Sequence, residues 1–288
     1  MRAYLEITTI CNRSCSFCAG TGRKKEFLAP EKFEERLKKV LPVTHNIFLH
    51  LMGEPLLHPD FEKIGAVCKK YNAKATLVTN GTLLAGKEEL LFNNPAFSQI
   101  NFSLHALQKD SLPDRKILEM ILSFCEKAEK IRPDLYINLR LWNQQKREEE
   151  KTNSLNTFLL EAIGKRFPLP PQEKLQFSPG RKSKHLSGRI YLNMDTVFQW
   201  PETEKDILQE KGYCHGMRDQ FGILTDGRLV PCCLDTEGKA SLGNIDMVED
   251  IQEILSSPEA ESIRKGFEKG IAVKEFCKKC SFRTRFKK

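Results

Sequence analysis

Residues 11–18 read CNRSCSFC, three thiols within eight residues, directly behind the strand-like run AYLEITTI. A structural zinc takes four tetrahedral ligands, and no further Cys or His follows within the next 25 residues. A distant His completing a zinc site stays open at this point. Three thiolates on a four-iron cluster would leave one iron free for an outside ligand. Whatever folds around this stretch has to present a three-thiol loop at the end of a strand, with a valence open.

The 288 residues can bury one substantial core with a small appendage, and 40% hydrophobic against 29% charged residues is a globular composition. No run approaches the ~20 apolar residues of a membrane span. The start MRAYLEITTICNRSC carries Glu6 and lacks a signal-peptide apolar core. A cytoplasmic location is therefore expected, where clustered thiols serve metals or redox chemistry rather than disulfides. The net charge of +8 arises from 46 basic and 38 acidic residues, much of it in mixed runs such as QQKREEEK. The tail FRTRFKK is the concentrated patch that could touch nucleic acid or another acidic partner. Lysine-rich composition is a weak signal for that, so nucleic acid is not the expected partner.

Strand-like runs at 3–10, 46–51, 74–80, 99–106, 135–142 and 189–200 alternate with amphipathic stretches near 30–41, 59–71, 85–92, 113–131 and 153–167. Alternation at this pace implies right-handed βαβ units with parallel strands, and the expected architecture is α/β, a partial (β/α)6 barrel. The Pro- and Gly-rich segment 168–188 reads as a long connection. After about residue 205 the character changes. QFGILTDGRLVPCC offers two strand arms around Asp226-Gly227, short helices follow, and CKKC closes a small cysteine-rich domain. The division expected is 1–204 for the barrel and 205–288 for the tail.

In parallel barrels the chemistry sits at the C-terminal strand ends. There the sequence places the cysteine triplet, Gly53 and Glu54, Asn80 and Gly81, Ser103 and His105, then Arg140 and Asn143. This order, with CNRSCSFC at its head, resembles the radical SAM superfamily. In that family three cysteines hold a [4Fe–4S] cluster whose free iron chelates S-adenosylmethionine (SAM). The resemblance makes Cys11, Cys15 and Cys18 the catalytic cluster ligands, with Phe17 matching the aromatic residue before the third cysteine. MGEP (52–55) resembles the Gly-Gly-Glu motif: Gly53 and Glu54 carry over, and Met52 stands where the first glycine would. TNGTLL (79–84) resembles the third-strand turn, bringing Asn80. NFSLHA brings Ser103 as a ribose contact, and LRLWN brings Arg140 as a polar contact to SAM. Such enzymes cleave SAM reductively to a 5′-deoxyadenosyl radical, and a reducing partner such as flavodoxin or ferredoxin is implied.

Cys214, Cys232, Cys277 and Cys280 form a possible four-thiolate site with Cys233 adjacent. The stretch from Cys214 to CKKC resembles the C-terminal extension of SPASM and Twitch proteins, its shortness being Twitch-like, and implies an auxiliary [4Fe–4S] cluster. Zinc is the alternative metal. Cys68 and Cys125, on apolar helix faces, read as buried small hydrophobes. His50 and His58 read as packing and turn residues. His105, Trp142, Trp200, Asp195 and Glu202 are weighed as substrate contacts against ordinary packing or surface roles.

The expected activity is that of a radical SAM enzyme, lyase or oxidoreductase, acting on a small molecule. The specific expectation is a resemblance to the queuine lyases, which cleave a carbon–nitrogen bond of a deazapurine base. Twitch-type dehydrogenases and peptide-modifying SPASM enzymes are the alternatives. Outside enzymes, a zinc or iron–sulfur nucleic-acid-binding protein would account for the cysteines, but not for Gly53, Glu54, Asn80 and Ser103 in order.

Overall fold

A computed structural model describes residues 1–144, 154–169, 182–197, 200–201 and 209–286. Among them the strands are β1 (Arg2–Leu5), β2 (Asn46–Phe48), β3 (Lys74–Thr79), β4 (Phe97–Ser103) and β5 (Tyr136–Gln144), then β6 (Ser183–Ser187), β7 (Ile190–Thr196), β8 (Gln220–Ile223), β9 (Arg228–Val230) and β10 (Gly243–Asn244). The α-helices are α1 (Pro30–Val40), α2 (Phe61–Lys70), α3 (Glu88–Asn93), α4 (Leu112–Ile131), α5 (Ser154–Gly164), α6 (Gln252–Leu255), α7 (Pro258–Glu268) and α8 (Glu275–Lys278). The fold is mixed α/β. It packs as two compact units, Met1–Ala75 with Phe198–Lys288, and Thr76–Val197.

In the first unit β1 lies between two parallel partners, β2 and β8, with Ala3 opposite both Ile47 and Phe221. Strand β8 turns back through Asp226-Gly227 onto β9, and β10 adds antiparallel to β9. The cysteine-rich tail is thus built onto the first strand of the chain. The compact units are drawn differently from the expected division into a barrel at 1–204 and a tail at 205–288. Helix α1 begins with Pro30 at its first turn and buries Phe33, Leu37 and Val40 at helical spacing. Pro42 bars its continuation. Its inward Arg36 forks onto Asp246 at 3.0 and 2.8 Å and reaches the Leu224 and Thr225 carbonyls, fastening the helix to the C-terminal hairpin.

In the second unit β4, β5 and β7 are parallel neighbours and β6 runs antiparallel to β7. Strand β6 occupies the end of the stretch expected to be a connection; 170–181 lie outside the described residues. Helix α4 starts on Ser111, whose hydroxyl accepts from the Asp114 N–H at 3.3 Å. It covers one face of the strands, where Phe124 meets Phe102 edge-on at 5.7 Å. No helix among the described residues is long and apolar enough to cross a membrane.

Candidate active site

The three-thiol stretch is a closed loop on a zipped stem. Leu28 N–H donates to the Ile7 carbonyl at 2.9 Å, Thr9 N–H to the Glu26 carbonyl at 3.2 Å, and the Thr9 hydroxyl to the Lys24 carbonyl at 2.8 Å. Within the loop Cys18 N–H bonds the Cys15 carbonyl, and Gly20 N–H points at the Cys18 sulfur, 3.5 Å away. Arg13 N–H bonds the Cys11 sulfur in the same two-residue pattern. Donors aimed at sulfur favour the thiolate over the thiol. Partial burial nonetheless pushes the Cys11 thiol up, and the charges at Glu54 and Cys18 add to this.

Gly53 and Glu54 close the loop from the β2 side. Glu54 N–H donates to the carbonyl of Ile10, the residue before Cys11, at 2.8 Å. Gly53 takes φ +76°, and a Cβ there would lie 2.5 Å from the Thr8 carbonyl oxygen. The backbone of this motif therefore needs glycine at 53. At 52 it needs an N–H, and Met52 supplies it, donating to Glu6 Oε1 at 3.0 Å. The Glu54 side chain is 2% exposed and accepts from Leu56 N–H at 3.0 Å, capping the short turn Pro55–Leu57.

Glu6 is the hub that sequence reasoning passed over. It is buried at the end of β1 and holds four donors: Met52 N–H, Thr225 N–H at 3.0 Å, and both Arg23 Nη atoms at 2.7 Å. Arg23 also donates through Nε to the Thr236 carbonyl at 2.6 Å. Glu237 accepts from the Thr21 hydroxyl at 2.5 Å and Gly22 N–H at 3.1 Å. An acidic residue within the strand-like run AYLEITTI was the available signal, because a buried carboxylate demands partners.

Cys232, Cys277 and Cys280 are buried and Cys214 half-buried. Burial raises the pKa of all four, Cys280 to about 11, and each of Cys232, Cys277 and Cys280 feels the Cys214 sulfur. Gly216 N–H points at the Cys214 sulfur at 3.5 Å. Cys232 packs with Leu234, Cys280, Trp200 and Phe282, whereas Cys233 packs against the separate cluster of Tyr4, Leu51, Leu224 and Val230. Among the described residues no three Cys, His, Asp or Glu side chains converge closely enough to hold a single metal ion.

In the second unit Ser103 of β4, Arg140 of β5 and Asn193 of β7 stand side by side in register. The Arg140 guanidinium lies over the Trp142 ring, 4.3 Å from its centroid, and Trp142 Nε1 donates to Asn193 at 2.7 Å. Asn80 Oδ1 accepts from Thr82 N–H and hydroxyl, shaping the TNGT turn. One row deeper Asn138 Nδ2 donates to Asn101 Oδ1 at 2.7 Å, joined there by Gln99 Nε2 at 2.9 Å. Asn101 is fully buried, and among the described residues its Nδ2 has no partner. On this polar face, opposite the α4-covered face, Ser103 and Arg140 were named from sequence, and Asn101, Asn138 and Asn193 were missed. A shallow concavity of about 440 Å³, between Lys109, Arg115, Thr157 and Phe158, carries none of these groups.

His105 Nδ1 lies 3.1 Å from the Arg140 carbonyl, which requires its N–H tautomer there. Cys68 and Cys125 are fully buried, as expected, and His58 is a buried turn residue bonded to the Leu28 carbonyl at 2.8 Å. Asp195 pairs with Lys182 at 2.8 Å. Glu202 lies outside the described residues.

The radical SAM superfamily model matches residues 5–151, and an iron–sulfur cluster-binding domain model, SPASM, matches 214–281. The chain belongs to the radical SAM superfamily. Its cofactors are accordingly a [4Fe–4S] cluster and SAM, with a further iron–sulfur cluster in the SPASM segment. A probable GTP 3′,8-cyclase of Pyrococcus horikoshii is 29% identical over 122 residues, 42% of this chain and 37% of that one. The chain thus spans little more than a third of that relative's length. Among solved structures, BtrN with AdoMet and 2-DOIA aligns at TM-score 0.52 and 14% identity, covering 93% of this chain and 87% of that one. Streptococcus suis SuiB bound to S-adenosylmethionine aligns at 0.57 and 17%, covering 91% and 67%. The anSMEcpe protein with AdoMet and a Cp18Cys peptide aligns at 0.56 and 17%, covering 98% and 86%. At these identities the likeness is one of fold.

Proposed function

We propose that Cys11, Cys15 and Cys18 hold the catalytic cluster, and that Glu54, beside Cys11, is the charge partner of the SAM ammonium. Phe17, Gly53, Asn80, Ser103 and Arg140 complete the SAM site in this reading. The observation that carries it is the Glu54 N–H bond to the carbonyl of Ile10, which ties the MGEP turn to the residue preceding Cys11. When bound, a reduced cluster and SAM would supply radical chemistry able to take hydrogen from an unactivated carbon. The chain's own work is to hold, orient and exclude water. Cys214, Cys232, Cys277 and Cys280 hold the auxiliary cluster. Cys232, Cys277 and Cys280 are buried, Cys214 is half-buried, and each of the three buried thiols feels the Cys214 sulfur, which supports one shared four-thiolate site.

The substrate reading is a small polar ring. The amide row Gln99, Asn101 and Asn138, with an Asn101 Nδ2 that has no partner among the described residues, suits the hydrogen-bonding edge of a heterocycle. The relative named for GTP supports a purine-like ligand. Queuine cleavage is the specific case we put forward, with a location in the cytoplasm and an electron from a flavodoxin or ferredoxin. The decisive experiment measures iron, sulfide and zinc per chain on anaerobically purified protein, and 5′-deoxyadenosine formed with SAM and dithionite. About eight irons and nucleoside release are expected; zinc without nucleoside would overturn the assignment. Queuine is then added. Release of aminomethyl deazaguanine identifies a lyase, an oxidised product an oxidoreductase, and an unaltered base rejects this substrate.

A further inference from the structure

Arg283 belongs to the basic run FRTRFKK, the concentrated patch that from sequence could touch an acidic partner, yet it is 3% exposed. Its Nε donates to the Cys277 carbonyl at 2.7 Å, Nη1 to the Lys211 carbonyl at 3.4 Å and Nη2 to the Gln209 carbonyl. All three partners are neutral, and among the described residues no carboxylate forms an ion pair with it. The chain makes room for the group at Gly212, where a Cβ would lie 2.8 Å from Nη1. The guanidinium is therefore wedged between the segment leading into Cys214 and helix α8, which bears Cys277, with Cys280 three residues back along the chain.

A buried guanidinium without an anionic partner is costly. Its field already opposes the upward push of burial on the Cys214, Cys277 and Cys280 thiols. Four thiolates on a four-iron core would supply the missing negative charge. One-electron reduction adds further negative charge to that core, so a nearby buried cation stabilises the reduced form more than the oxidised one. We propose that Arg283 is the counter-charge of the auxiliary cluster and holds its reduction potential up. The inference rests on the assignment of that cluster to Cys214, Cys232, Cys277 and Cys280.

The test uses anaerobic full-length protein and compares wild type, Arg283→Lys, Arg283→Gln and Cys277→Ala by iron analysis and by EPR-monitored titration with dithionite. Arg283→Gln should lower the auxiliary couple so that its reduced-to-oxidised ratio at a fixed potential falls about tenfold, equivalent to 59 mV for one electron. Arg283→Lys, which keeps the charge and loses the fork, should stay near wild type. Loss of auxiliary iron in Arg283→Gln with retention in Arg283→Lys supports the same conclusion. An unchanged potential in Arg283→Gln, equal shifts in both variants, or equal loss of iron in both would overturn it, since a backbone clamp would then suffice. If Cys277→Ala keeps its full iron, the cluster assignment itself falls and the inference with it.

Discussion

The indole N–H of Trp200 donates to the backbone carbonyl of Phe17 at 2.9 Å, while its ring packs against Cys232, Leu234 and Cys280. One side chain thus touches both cysteine sets. The loop of Cys11, Cys15 and Cys18 is held a second time through Arg23 and Thr21, on Thr236 and Glu237 just beyond Cys232. Trp200→Phe keeps the ring and deletes the donor. The lost bond is worth about 1 kcal/mol, roughly a fivefold rise in loop opening. Hydrogen exchange of amides 11–20 should rise by that factor while iron per chain stays constant. Unchanged exchange would mean the bond does not restrain the loop.

Gly53 and Gly20 both take positive φ, +76° and +68°, but a Cβ at Gly20 meets nothing within 4 Å. Gly20→Ala should therefore cost only the left-handed backbone penalty, about 1–2 kcal/mol. Gly53→Ala adds collision with the Thr8 carbonyl, which as backbone cannot rotate aside, for a total of about 2–5 kcal/mol. Urea unfolding of the two variants side by side measures the difference. Equal midpoints would show that the Thr8 contact relaxes freely.

The strands and helices were legible because apolar residues recur at the right periods, and α1 and α4 fall within a residue of their expected ends. Ser103 falls on the last residue of β4, as its run suggested, whereas Arg140, expected at a strand end, sits mid-strand because β5 continues to Gln144. What hid was long-range. That β8 would lie beside β1 depends on a pairing across more than two hundred residues, which no local pattern records. Arg283 looked like a surface charge because its burial is set by carbonyls at Gln209 and Lys211, far off in sequence. The polar face had a readable sign. Parallel strands covered on both faces are apolar throughout, yet QINFS, YINLRLW and IYLNMD alternate, marking a second face made for water or a ligand.

The adjacent thiols at 232 and 233 are separated by their packing. Cys232 lies with Cys280 and feels the sulfurs of Cys214 and Cys277, whereas Cys233 accepts from the Tyr4 hydroxyl in the other apolar cluster. Cys232→Ser should remove about four irons per chain, one cluster's complement. Cys233→Ser should keep them and lose only packing, on the order of 1 kcal/mol. Iron and sulfide analysis of both proteins distinguishes them, and the reverse result would exchange the ligand assignment.

His105 makes stability depend on acid. Burial, opposed by the bond to the Arg140 carbonyl, lowers its pKa from 6.5 to about 4. The folded chain keeps the ring neutral down to that pH, while the unfolded chain protonates it near 6.5. Between the two values the unfolded state binds more protons, so stability falls as pH falls and levels off below 4. The full difference is up to about 3 kcal/mol. His105→Asn, which retains a donor for the Arg140 carbonyl without a titrating group, should flatten this part of the curve. Unfolding free energies of both proteins at pH 7, 6, 5 and 4 give the two slopes. Parallel slopes would mean the His105 ring titrates in the folded protein as it does in the unfolded chain.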